Sequence, residues 1–260
     1  MNRIKYLIPL IDKNKQMSVF SLITIIGMSF VFLTSIFGFT FGSQNVLAQN
    51  SAPNSLPDAK TVSDTGKMVL PSSVSGVIIA LPDETHHLDS EGKIINPANP
   101  HYIPANTVIP SGTAIAFAAG DPNHVHSEIA TDSSGKDVWT TTSFTHPGAT
   151  DSKVLPPGTY AITDAKYPSK KGTVTVESNV KSSGNLVAGA MFAPTPLLEN
   201  VKAQLQSAGF QIASTADFMS AVTTQKDIAG PQTLIVYSTT QPIDTAKTNL
   251  LPILKSLPYR

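Results

Sequence analysis

The chain has 260 residues, room for two modest domains, and 41% apolar with 7% aromatic residues is an ordinary globular composition. Lys plus Arg and Asp plus Glu stand at 18 each, so no global field draws nucleic acid, and no basic cluster interleaved with aromatics occurs; no nucleic-acid partner is expected. The absence of cysteine excludes disulfides and thiolate metal sites.

Lys5, Lys13 and Lys15 precede an uncharged run from Met17 to Gly42, long enough to span a bilayer. Val46-Leu47-Ala48 behind it has the small-x-small pattern of a cleavage site. Residues 1–48 therefore read as a hydrophobic helix, either a signal peptide cut after Ala48 or a retained membrane anchor. The basic residues hold the N-terminus in the cytoplasm in both cases, so the remainder is expected to be extracytoplasmic, secreted or tethered to the cell membrane. Ser, Asn, Pro, Asp and Thr dominate the next stretch, which predicts a flexible tether over 49–67.

Val74-Ser75-Gly76-Val77-Ile78-Ile79-Ala80-Leu81 predicts the first buried strand, followed by a long polar loop over 82–100. Between Tyr102 and Phe117 two strand-like pieces flank a Pro110-Ser111-Gly112 turn. Val125 to Thr131 and Asp137 to Phe144, with the lone Trp139, are further strand candidates. Pro156-Pro157-Gly158 sets a tight turn, after which Tyr160 and Ile162 alternate with smaller residues, and Val174 and Val176 repeat the alternation beyond Gly172. Many short strands at these spacings predict a mainly β chain with a sandwich over 68–178.

A linker is expected over 179–185, and beyond it the pattern changes from period two to period 3.6, predicting a small C-terminal α/β domain over 186–260. Leu186 to Phe192 reads as a strand. Thr195 is suited to cap a helix with Pro196 in its first turn; Leu197, Val201, Leu205 and Ala208 share one face, and Gly209 ends it. Phe210 to Ser214 and Thr233 to Tyr237 read as strands, and Pro242 to Leu257 as a helix interrupted by Pro252. This region has no histidine, and Asp217, Asp227 and Asp244 read as turn or cap residues, so docking or dimerisation is its expected use.

The proline-glycine turn, tyrosine strand, short loop and closing valine strand between Pro156 and Glu177 resemble the C-terminal ligand loop of cupredoxins, the blue-copper β-sandwich family. With the tyrosines superposed, no gap is needed against the amicyanin type of that loop. The proline-containing strand, turn glycine and alternating strand of Tyr102 to Phe117 resemble the cupredoxin segment that leads to the first metal ligand. Over about Val74 to Glu177 the resemblance implies a cupredoxin-like Greek-key β-sandwich. A blue-copper loop of this length carries cysteine four residues after the tyrosine, histidine three later and methionine three after that. Here those positions read Asp164, Tyr167 and Lys170, and without cysteine no type 1 electron transfer is possible.

All six histidines lie between Glu84 and Pro147. In Asp121-Pro122-Asn123-His124-Val125-His126 the resemblance places the first histidine ligand, and either His124 or His126 suits that place. With Val125 inward on a strand, the two imidazoles flank it on one face about 6 to 7 Å apart at the backbone, close enough to share a metal. Imidazole suits copper, zinc and nickel, and Asp164 at the lost cysteine position supplies a third ligand. The metal candidates are thus His124, His126 and Asp164, with copper, or zinc, as the ion. A His-x-His pair is also common as solvated surface. His86 and His87 beside Asp89, His101 and His146 read as exposed loop, Tyr167 as filling the lost ligand's place, and Lys170 with Lys171 as a solvated loop tip.

Ser127 stands beside His126 and Glu128, but adjacent strand residues face opposite ways, and no paired-carboxylate, phosphate-loop or metalloprotease motif occurs, so no enzyme is expected. The expected function is an exported cupredoxin-like protein that binds copper or another divalent metal through histidines without type 1 electron transfer. The alternative is a metal-free extracytoplasmic interaction or structural module. Expected partners are the metal ion and, if the N-terminal segment is uncleaved, the membrane; the sequence does not name the protein that the C-terminal part would dock.

Overall fold

A strand that is apolar along nearly its whole length needs both faces buried, and Val74–Leu81 meets that condition. Val77, Ile79 and Leu81 join a core between two sheets, while Ile78 joins a second core under two helices. The computed structural model describes residues 55–81, 102–120, 124–145, 147–168, 170–218 and 231–257. The predicted signal or anchor helix, the loop over 82–100, and His86, His87, His101 and His146 lie outside the described residues. Among the described residues no helix is long and apolar enough to cross a membrane.

In chain order the elements begin with α1 (Ala59–Thr65), β1 (Lys67–Val69), β2 (Val74–Leu81), β3 (Asn106–Ser111), β4 (Ala114–Ala119), β5 (Glu128–Thr131) and β6 (Asp137–Thr140). Two short strands follow, β7 (Gly148–Ala149) and β8 (Lys153–Val154), then β9 (Gly158–Asp164) and the long β10 (Lys171–Lys181). The C-terminal part holds β11 (Leu186–Pro194), α2 (Leu198–Ser207), β12 (Gln211–Phe218), β13 (Gln232–Thr239) and α3 (Ile243–Ser256).

The strands form two mixed sheets. One runs β1-β3-β10-β9-β5-β6, the other β12-β13-β11-β2-β4-β7, with β8 also on β4. Between them pack Ile109, Tyr160, Ile162, Val174 and Val176 from the first sheet and Val77, Ile79, Leu81, Ile115 and Phe117 from the second. The outer face of the second sheet is covered by Val201 and Leu205 of α2 and by Ala246, Leu250, Ile253 and Leu254 of α3. Amphipathic helices on the back of a sheet explain why the pattern turns to period 3.6 after Leu186.

The α/β character expected over 186–260 is present, and its strands continue the sandwich. β11 pairs parallel with β2, Val187 opposite Gly76, and antiparallel with β13, so one sheet runs through both parts. Ser51–Arg260 forms one compact unit. The segment expected as a linker over 179–185 begins inside β10 and carries the chain from one sheet to the other.

Three local expectations are corrected. The tether expected over 49–67 is structured from Ala59: α1 buries Ala59 and Val62, and the Ala59 N–H donates to the Ser214 hydroxyl at 2.7 Å. Its polar composition hides two apolar positions three apart, the spacing of one helix face. Thr195 does not cap α2; its hydroxyl lies 3.0 Å from that of Thr233, and a short 3-10 turn over Thr195–Leu197 starts the helix instead. Pro252 lies inside α3 without ending it, because Leu250, Ile253 and Leu254 on either side are anchored against the sheet. Gly209 does end α2, at a φ of 87° that only glycine takes without strain.

Candidate metal site

The site is built from strand alternation. In β9, Tyr160, Ile162 and Asp164 face inward while Thr159 and Ala161 face out. The turn before it is pinned by the Tyr160 hydroxyl, which donates to the Pro156 carbonyl at 2.7 Å. On the neighbouring β5, Glu128 and Ala130 face inward, and His126 continues that row one step upstream. The backbone of His126 is held by a two-way bridge to Phe144, each N–H donating to the other's carbonyl at 3.0 Å. Register then sets Glu128 directly opposite Asp164.

Two carboxylates facing each other inside a core repel and lose their water, so both need compensation. The structure supplies it from three sides. His126 Nδ1 and Asp164 Oδ2 lie 2.7 Å apart, both side chains fully buried, and the Lys166 N–H donates to Asp164 Oδ1 at 2.7 Å. The Tyr102 hydroxyl donates to Glu128 Oε2. Lys170, fully buried, sets its ammonium 5.4 Å from the centre of the Tyr102 ring. Burial opposes ionisation of Asp164, but the His126 hydrogen bond, the Lys166 N–H and the Lys170 charge outweigh it and hold the carboxyl below its usual value.

Tyr102 reaches Glu128 because Gly172 makes room for its ring. A Cβ there would lie 2.7 Å from Tyr102 Cδ2 and 2.9 Å from the Ala105 carbonyl oxygen. The Tyr167 ring closes the site on the loop side, 5.7 Å from the His126 ring and 5.5 Å from that of His124.

Of the three metal candidates, the structure brings His126 and Asp164 together. His124 is half-buried, with its ring 6.4 Å from that of His126, and stands outside the cluster. Glu128 takes the third place: ligand atoms of His126, Glu128 and Asp164 all lie within 4.8 Å of one another. Its signal in the sequence is the His-x-Glu spacing, since residues two apart on a strand share a face. Val125 is not inward but 37% exposed, which is what turns His126 into the core. Lys170 is not part of a solvated loop tip; only its neighbour Lys171 is exposed. Tyr167 is half-buried, with its ring against those of His124 and His126.

No family model and no curated protein matches the chain. Among solved structures, it is similar to the purple cupredoxin from Nitrosopumilus maritimus, at 22% identity and a TM-score of 0.32 over 39% of this chain and 99% of that one. It is similar to rusticyanin at 13% identity and 0.31, over 46% of this chain and 94% of that one. It is also similar to the copper-containing nitrite reductase from Thermus scotoductus SA-01 at 20% identity and 0.27, where 39% of this chain spans 28% of the other. Two facing sheets, with the tyrosine strand hydrogen-bonded between the closing valine strand and β5, form the arrangement that the sequence resemblance implied. The chain carries a cupredoxin-like domain.

A type 1 copper centre does not fit these residues. The chain has no thiol, and the loop that resembles the blue-copper one carries Asp164, Tyr167 and Lys170 where cysteine, histidine and methionine would be expected. What the residues offer is one imidazole and two carboxylates, a donor set for a cation of hard or intermediate character.

Proposed function

We propose that the protein binds a divalent cation, copper before others, through His126, Glu128 and Asp164, and that it does so without blue-copper electron transfer. The observation that carries this reading is the meeting of the three ligand atoms within 4.8 Å inside a fully buried pocket. Copper is placed first because a nitrogen and carboxylate donor set suits Cu(II) and the affinity order of divalent metals peaks there. The chain provides zinc with none of the sulfur that structural zinc sites commonly use. The proposal extends to the setting: the basic residues and uncharged run ahead of Ala48 export the domain, which is then released or held at the membrane.

Protein purified without a histidine tag and dialysed against Cu²⁺ is expected to retain close to one equivalent. The near-isosteric Glu128→Gln and Asp164→Asn variants, checked for folding by circular dichroism, are expected to lose it. Equal and near-zero metal in all three favours the metal-free interaction module instead.

A further inference from the structure

Lysine is almost never fully buried unless its charge is answered, and Lys170 is fully buried. Its place is not forced by the chain, since Lys171 next to it is exposed at the start of β10. The Lys170 N–H donates to the Tyr167 carbonyl at 2.9 Å, closing the loop that follows Asp164. From there its side chain reaches the Tyr102 ring, whose hydroxyl is bonded to Glu128, and its charge acts on Asp164. The ammonium thus lies beside the ring that holds Glu128 and acts on Asp164, in the same buried pocket that a metal ion would occupy.

We infer that Lys170 is the resident counter-cation of this site, and that a divalent ion enters only by displacing the ammonium from the pocket. This rests on reading His126, Glu128 and Asp164 as a cation site. The physical reason is that an ammonium and a dication cannot share one small, poorly solvated pocket without strong mutual repulsion. With the lysine in place its charge offsets part of the buried negative charge, and the fold is stable without metal. With the lysine gone the carboxylates lack a cation, and metal becomes part of the folding free energy. The loop position that carries a metal ligand in the blue-copper pattern here carries a competitor of the metal.

The test compares the wild type with Lys170→Met, which keeps the length of the side chain without its charge, and Lys170→Arg, which keeps the charge. Each is titrated with Cu²⁺ by calorimetry, and each is unfolded thermally in EDTA and in Cu²⁺. Lys170→Met is expected to bind Cu²⁺ at least about tenfold more tightly than the wild type, a ratio that corresponds to about 1.4 kcal/mol. It is also expected to melt lower in EDTA and to recover in Cu²⁺, while Lys170→Arg behaves as the wild type. A wild type that binds Cu²⁺ with a Lys170→Met affinity no greater overturns the counter-cation role and leaves the metal site standing. Binding by Lys170→Met alone supports the counter-cation role and removes metal binding from the native protein. Absence of binding by both, or a Lys170→Met variant as stable as the wild type in EDTA, overturns the inference. If that variant fails to fold in EDTA, refolding in Cu²⁺ supports the inference, and failure to refold there overturns it.

Discussion

The place of Asp164 in its strand is written in the local sequence. Alternation from Tyr160 through Ile162 sends it inward, and the loop resemblance sets it at the position of a lost metal ligand. Glu128 obeys the same rule from His126, but the sequence shows only its neighbours; that it faces Asp164 depends on strand register, a non-local property. Lys170 was misleading for a similar reason, because two adjacent lysines beside a proline look solvated until the loop after Asp164 is closed. The depressed Asp164 carboxyl makes a prediction at this scale. A carboxylate held below its ordinary value of 3.8 stabilises the fold above that pH, and the contribution is lost as pH falls through the lower, folded-state value. Asp164→Asn leaves the buried Lys170 ammonium without this carboxylate and is expected to cost about 3–5 kcal/mol at neutral pH. Urea unfolding between about pH 3 and pH 7 checks this: the gap between wild type and variant stays flat down to about pH 5 and narrows below about pH 4. A gap independent of pH contradicts the proposed charge of Asp164.

At the scale of elements, β2, the turn at Gly112 and the helix stop at Gly209 were legible because each leaves a local mark: an apolar run, a turn glycine, a helix-ending glycine. The short β1 and α1 were not, since three or seven residues of mixed polarity carry too little periodicity to stand out from a linker. The change of period after Leu186 was read correctly as helices, but the sequence does not say that their apolar faces lie on the back of the sandwich sheet. One close contact ties that layer to the strands. A Cβ at Gly120, just beyond β4, would lie 2.5 Å from the backbone carbon of Leu254 in α3. Backbone cannot yield as a flexible side chain can. Gly120→Ala is therefore expected to destabilise by about 1–3 kcal/mol, lowering the midpoint of chemical unfolding. An unchanged midpoint contradicts the tight seating of α3 on β4.

Across the whole molecule, a cupredoxin-like sandwich encloses a buried charged pocket in a chain without a thiol. The sandwich was readable from short strands and turns, and the loss of the thiol from composition alone. The continuous sheet from β4 through β2 to β11 and β13 was not, because a parallel pairing between residues near 76 and 187 leaves no trace in either segment. That sheet and its helices buttress one side of the core, while the loops between the Tyr160 strand and its partners assemble the pocket at an end of the other sheet. The most direct test of the pocket is anomalous diffraction at the copper edge from crystals of the untagged protein soaked in Cu²⁺. A single strong peak among His126, Glu128 and Asp164, absent from Asp164→Asn crystals, is the predicted result. No peak there, or a peak held only by His124 at the half-exposed rim, contradicts it.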